Sequence, residues 1–177
     1  MRTSLISSAH AQRVTEIQKQ VRAFARRKQR IGIYHGTTNS TRLTTFEQGS
    51  FVDVSRLNQL LEINAHDNYA LVEPNVPMDQ LVAATLKEGL LPPVVPEFPG
   101  ITIGGAVQGG AEESSSFREG MVHDSCLEYE LVLGNGEVVS CSRTRRPDLF
   151  TGTAASYGSL GILTLTKLRL VPAKPFV

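Results

Sequence analysis

Gly100-Ile101-Thr102-Ile103-Gly104-Gly105-Ala106-Val107-Gln108-Gly109-Gly110 runs into the polar stretch Ala111 to Gly120, and then into two apolar runs, Tyr129 to Leu133 and Glu137 to Cys141, around Gly134-Asn135-Gly136. Asn-Gly between two apolar runs is a strong hairpin signal. The glycine-rich part is different. It has four glycines between Ile101 and Gly110 and no charged residue. Such a segment lets a backbone approach a ligand closely.

Upstream, Val14, Ile17, Val21 and Phe24 recur at helical spacing, which predicts a helix over Gln12 to Arg27 with basic residues at its C-terminal end. A strand over Arg30 to Tyr34 runs into the small polar residues His35-Gly36-Thr37-Thr38-Asn39-Ser40-Thr41. Phe51 to Val54 reads as another strand, and Leu60 to Asn64 with Tyr69 to Glu73 as two strands about a turn. Pro77 precedes a helix over Met78 to Glu88, with Gly89 as its cap. Leu90 to Pro99 is proline-rich and extended. Leu149 to Thr153 is a short helix or turn, and Leu163 to Leu170 a last strand. Short strands, few helices and glycine-rich connections make the fold class α+β. Strands do not alternate with long helices, which disfavours a doubly wound nucleotide fold.

Three small-residue loops each adjoin a predicted strand: Gly36 to Thr41, Gly104 to Gly110 and Ser156 to Gly161. Consecutive N–H groups in such loops can point at one anion, and a pyrophosphate is the usual anion. The bland alternative is that each is a turn. A Walker loop needs Gly-Lys-Ser or Gly-Lys-Thr, which the chain lacks, and Gly104-Gly105 with Gly109-Gly110 does not fit the dinucleotide fingerprint.

The order of these segments resembles the FAD-binding (PCMH-type) domain of the vanillyl-alcohol oxidase superfamily, and within it the delta-24 sterol reductase branch. The residues that carry the resemblance are Gly100 to Gly105, Glu112-Glu113-Ser114-Ser115-Ser116, Gly120, Tyr129 to Gly136, Asp148-Leu149-Phe150, Gly158-Ser159-Leu160-Gly161-Ile162-Leu163 and Pro172-Ala173-Lys174. Val72-Glu73-Pro74-Asn75-Val76 and Glu88-Gly89-Leu90 fall in place upstream. The resemblance implies two small α+β subdomains with FAD between them, about 12–98 and about 99–177, after a tail over 1–11. It implies that His35, Gly36, Thr37, Thr38, Asn39 and Ser40 form the loop at the FAD pyrophosphate. Thr102, Gly104 and Gly105 would run along the flavin and its ribityl chain, with Ser114, Ser115 and Ser116 close by. Gly158, Gly161 and Ile162 would form the final stretch, with the Ile162 backbone at the adenine.

Covalently flavinylated members carry a histidine where this chain has Thr38, so non-covalent FAD is expected. His35 lies three positions earlier and reads as a loop residue near the cofactor rather than a catalytic group. The branch's chemistry implies hydride transfer to or from a C=C bond, NADPH as reductant and a sterol-like small-molecule substrate. The family's substrate (cap) domain is expected to be absent, and with it most of the catalytic acid–base residues. The alternative is a truncated or split flavin-binding module without its own turnover.

Composition fits a soluble globular domain: 41% hydrophobic, 20% charged, net charge +1. That charge invites neither nucleic acid nor an anionic membrane, and no apolar run approaches the roughly 20 residues of a transmembrane segment. Cys126 and Cys141, without CxxC spacing, read as free thiols in a reducing, cytoplasmic setting. Four scattered histidines give no metal site. Glu112-Glu113 reads as solvated acids, Arg143 to Arg146 as a solvated hairpin end, and Cys126 as a small buried apolar residue.

Overall fold

A computed structural model describes residues 8–36 and 49–174. Helix α1 spans Ser8–Arg26 and buries Val14, Ile17, Val21 and Phe24, the stripe that predicted it. It begins four residues earlier than expected, and the notional tail over 1–11 ends inside it. The reason is His10, a polar residue that apolar periodicity does not count, yet one that is fully buried. Lys28, with φ +52, turns the chain away after the helix.

Strands β1 (Gly32–Tyr34) and β2 (Phe51–Asp53) pair in parallel. The apolar face of α1 packs with Val52, Val54 and Leu57 and with Val132 and Ile162, forming the smaller of two cores.

Strands β3 (Leu60–Asn64) and β4 (Tyr69–Val72) form the expected pair. Helix α2 (Met78–Leu86) and the short strand β5 (Leu90–Leu91) follow. Helix α3 (Ile103–Gly109) occupies the glycine-rich segment, and the polar stretch after it contains one helical turn, α4 (Ser116–Glu119). A 3-10 turn over Val122–Ser125 leads into β6 (Cys126–Val132), which pairs with β7 (Val138–Ser142) as the Asn-Gly signal predicts. Helix α5 (Pro147–Thr153), β8 (Ile162–Arg169) and β9 (Val171–Pro172) complete the order, with β9 pairing to β5.

One antiparallel sheet runs β3-β4-β8-β6-β7. Its hydrogen bonds join β4 to β8, so it draws strands from both sides of residue 98 and does not divide there. Five consecutive residues at the start of β8 are buried. That pattern belongs to a central strand covered on both faces, which explains why strict alternation fails in it. The larger core lies against this sheet, where Ile103, Ala106 and Val107 of α3 meet Tyr129, Leu131, Leu163 and Leu168. Among the described residues no helix is long and apolar enough to cross a membrane.

Candidate functional site: a cleft between α3 and the 155–161 loop

Helix α3 is short and glycine-rich because it lies hard against Pro74. A Cβ on Gly104 would stand 2.6 Å from Pro74 Cβ and 3.1 Å from its carbonyl oxygen. The close approach is fastened by hydrogen bonds: Gly104 N–H donates to Pro74 O (2.7 Å) and Ile103 N–H to Val76 O (3.0 Å). Thr102 caps the helix, its hydroxyl accepting from Gly105 N–H at 3.2 Å. Gly110, at φ +74, ends it in the left-handed conformation that favours glycine.

This corrects one expectation. The first-turn amides of α3 already donate within the protein, so this loop does not offer them to an anion. It offers space instead: Gly109 lines a cleft, and a Cβ built there would meet nothing within 4 Å.

The opposite wall is the loop after α5. Ala155 N–H donates to Val107 O (3.1 Å) and Tyr157 N–H to Gln108 O (3.0 Å), while the Gln108 side chain donates to Gly161 O (3.4 Å). These bonds sew the loop onto α3. Ala155, Tyr157 and Gly158 take φ +52, +53 and +78. The N–H groups of Gly158, Leu160 and Gly161 have no acceptor among the described residues. Of these three residues, Gly158 lines the cleft.

Between the walls is a cleft of about 910 Å³, within the range of small-molecule sites. Six of the predicted residues line it together: His35 after β1, Thr102 at the cap of α3, Gly104 and Gly105 on it, and Gly158 and Ile162. They come from three distant parts of the chain. Gly36, with φ +73, sits beside His35 and close to Ser55. Gly161 faces β6 instead, where a Cβ would meet Val132 O at 3.1 Å. Ser114 and Ser116 line a neighbouring hollow of about 730 Å³, which shares Phe98 and Ile101 with the cleft. Ser115 does not line it; its hydroxyl donates to Pro93 O (3.0 Å). Thr37, Thr38, Asn39 and Ser40 lie outside the described residues.

Sequence reasoning missed Asn75, Phe98, Gln108 and Tyr157, which also line the cleft. Asn75 is 5% exposed, and its amide donates to Val54 O (2.6 Å) at the cleft base. Tyr157 lies in the loop Ser156 to Gly161, whose other residues are mostly small and mask it from a reading of composition.

The other titratable cluster is structural. His10 Nδ1 lies 2.6 Å from Glu73 Oε1 and Nε2 lies 3.1 Å from Glu130 Oε1. Arg13 donates to Glu73 (2.7 Å), Gln59 N–H donates to its other oxygen, and Thr164 donates to Glu130 (2.7 Å). Burial alone would lower the His10 pKa, but hydrogen bonds to Glu130 and Glu73 outweigh it and carry it up to about 9. Burial would raise Glu73, but its bonds to His10 and Arg13 hold it below the usual range. The protonated ring thus bridges two carboxylates and ties α1 to the sheet just before Pro74.

Neither cysteine is poised as a nucleophile: burial pushes Cys126 up to about 12 and Cys141 up to about 11. At the hairpin end, Arg145 pairs with Glu128 and Arg146 with Asp148. No cluster of three or more potential metal-ligating side chains occurs among the described residues.

A family model described as "FAD binding domain" matches residues 8–142. The chain belongs to that family. Among curated relatives of this FAD-binding domain, Delta(24)-sterol reductase of Homo sapiens is 35% identical over 172 residues, 95% of this chain and 33% of the relative. A putative D-arabinono-1,4-lactone oxidase of Neurospora crassa is 31% identical over 160 residues, 90% of this chain and 28% of the relative. The FAD-binding domain thus spans about a third of the length of the curated relatives it matches. A solved structure of 6-hydroxy-D-nicotine oxidase from Arthrobacter nicotinovorans superposes with a TM-score of 0.79. At 24% identity, covering 90% of this chain and 35% of that one, it establishes the shared α+β fold.

Proposed function

We propose that the cleft between α3 and the 155–161 loop holds FAD non-covalently, and that the chain is the FAD-binding part of an oxidoreductase related to the Delta(24)-sterol reductases. One observation carries this reading: His35, Thr102, Gly104, Gly105, Gly158 and Ile162, remote in sequence, line one space in a chain of the FAD-binding family. The fit is local as well. An open floor at Gly109 admits a ligand against the backbone, and the Gly158 N–H, which has no acceptor among the described residues, suits its phosphates.

FAD would supply hydride chemistry; this chain's residues would bind and orient it. Thr38, where covalently linked members carry histidine, supports non-covalent attachment. The relatives' name supports a sterol-like substrate with a C=C bond; NADPH as the reductant rests on the resemblance to the sterol reductase branch alone. Their greater length supports a further domain or partner subunit over the flavin. Two buried free cysteines suit a reducing cytoplasmic setting.

The test is direct. Purified protein should carry a flavin absorption spectrum, and acid precipitation should release all of it into the supernatant as FAD. Colourless protein that takes up no added FAD contradicts cofactor binding, and flavin remaining in the pellet contradicts non-covalent attachment.

A second reading is a flavin-binding module without turnover of its own. Photoreduced protein that reoxidises with an alkene acceptor supports the enzyme; protein that reoxidises only with oxygen supports the module.

A further inference from the structure

Tyr157 is 83% exposed at the lip of the cleft. Its hydroxyl makes no hydrogen bond and its ring no ring contact among the described residues. Its backbone nevertheless takes φ +53, a conformation uncommon for a bulky side chain. Ala155, two residues earlier, is also left-handed at φ +52.

The other non-glycine residues with positive φ are explained by chain direction: Lys28 ends α1, Asn68 turns the β3–β4 hairpin, and Arg146 precedes α5. The conformation at Tyr157 is held by three bonds that stitch the loop to α3: Ala155 N–H to Val107 O, Tyr157 N–H to Gln108 O, and the Gln108 side chain to Gly161 O. No burial of the ring offsets it. An unfavourable backbone held rigid to display an unburied aromatic ring beside a ligand cleft is strain of the kind that accumulates at ligand clamps.

We propose that Tyr157 is an aromatic shelf, preorganised by its left-handed backbone, that stacks on a planar ring of the bound dinucleotide. The proposal rests on the FAD reading above and adds a specific binding residue to it. Stacking needs only a π face and an open side, and both are present. The neighbouring Gly158 supports the geometry: at φ +78, with a built Cβ in contact with Ile33 Cδ1 at 3.4 Å, it lets the chain lie close to β1 just after the ring.

The test uses Tyr157→Asn and Tyr157→Phe. Asparagine accepts left-handed backbone readily, so Y157N removes the ring and keeps the loop; Y157F keeps the ring and removes only the hydroxyl. Each protein, stripped of flavin, is titrated with FAD, ADP and FMN by fluorescence. Y157N should bind FAD roughly ten-fold more weakly, with a matching loss for whichever of ADP or FMN carries the stacked ring and none for the other. Y157F should stay within about two-fold of the parent. The shelf is overturned if Y157N binds FAD like the parent, or if Y157F loses as much as Y157N. If Y157N does not fold, Y157G, which also favours positive φ, replaces it with the same expectations. A parent protein that binds no FAD would sink the functional reading itself, a result distinct from a parent that binds FAD and a Y157N variant that binds it equally well.

Discussion

Replacing Gly104 by alanine should destabilise the domain although alanine is the better helix former. The added methyl would lie 2.6 Å from Pro74 Cβ, 3.1 Å from Pro74 O and 3.2 Å from Pro74 Cα. Two of these atoms are backbone, so no side-chain rotation relieves the clash. Helix α3 must lift away from Pro74, which stretches the 2.7 Å bond from Gly104 N–H to Pro74 O. Overpacking of this kind costs about 1–3 kcal/mol, and weakening the hydrogen bond about 1 kcal/mol more. Alanine's helix propensity returns up to about 1 kcal/mol. The net expectation is a loss of about 2 kcal/mol. Gly109→Ala is the internal control, in the same helix with nothing within 4 Å of the added methyl. It should be neutral or gain up to about 1 kcal/mol. Urea unfolding followed by circular dichroism reads both, with unchanged slope for each variant. If Gly104→Ala proves as stable as the parent, the close packing of α3 on Pro74 is wrong. If Gly109→Ala falls as far as Gly104→Ala, the cleft floor is not open.

His10→Gln should cost about 3 kcal/mol near pH 6, because it leaves the buried Glu73 carboxylate with only Arg13 and the Gln59 N–H, and Glu130 without the ring. The folded His10 pKa of about 9 lies above its unfolded value of 6.5. Its contribution is therefore full below pH 6.5 and fades as pH rises to 9, so parent and variant stabilities should converge over that window. Glu73, held below its ordinary 4.5, contributes above that pH and loses its contribution as pH falls through the depressed value; parent stability should therefore fall on the acid side too. A parent–variant gap that does not change from pH 6 to 9 contradicts the protonated bridge. Cys126 and Cys141 should both resist an aromatic disulfide reagent at pH 8 and react stoichiometrically in denaturant; rapid labelling of native protein would contradict their burial. Free FAD at a hundred times its dissociation constant should raise the melting temperature by roughly 5–10 °C, and an unmoved transition would contradict binding to the folded state.

Much of the fold was legible because its signals were local. Val14 to Phe24 gave α1, Asn135-Gly136 gave the β6–β7 hairpin, and Ala65 to Asn68 gave the turn before β4. What escaped depended on contacts between distant segments. α3 is a helix of low intrinsic propensity, with three glycines in seven residues; it exists because Pro74, Val76 and the Thr102 cap engage its first amides. The start of α1 was hidden because His10 is buried through two carboxylates 63 and 120 residues away.

For the candidate site, two of the small-residue loops meet at one cleft, but the first-turn amides of α3 are already bonded within the protein. Glycine marked close packing at Gly104, a sheet contact at Gly161 and open space at Gly109, and composition cannot separate these. Ser115 was grouped with Ser114 and Ser116 by sequence, but its hydroxyl is spent on Pro93. Residues such as Asn75 and Gln108 act by bracing backbone across the cleft, a role that carries no motif.

Hydrogen–deuterium exchange with and without FAD tests the central claim most directly. Backbone amides of Gly158, Leu160 and Gly161, which have no acceptor in the described protein, should exchange fast in the stripped form and become protected when FAD binds, with smaller protection around residues 31–36 and 98–105. Protection confined to another face, or exchange at 158–161 that FAD leaves unchanged, would contradict a dinucleotide held in this cleft.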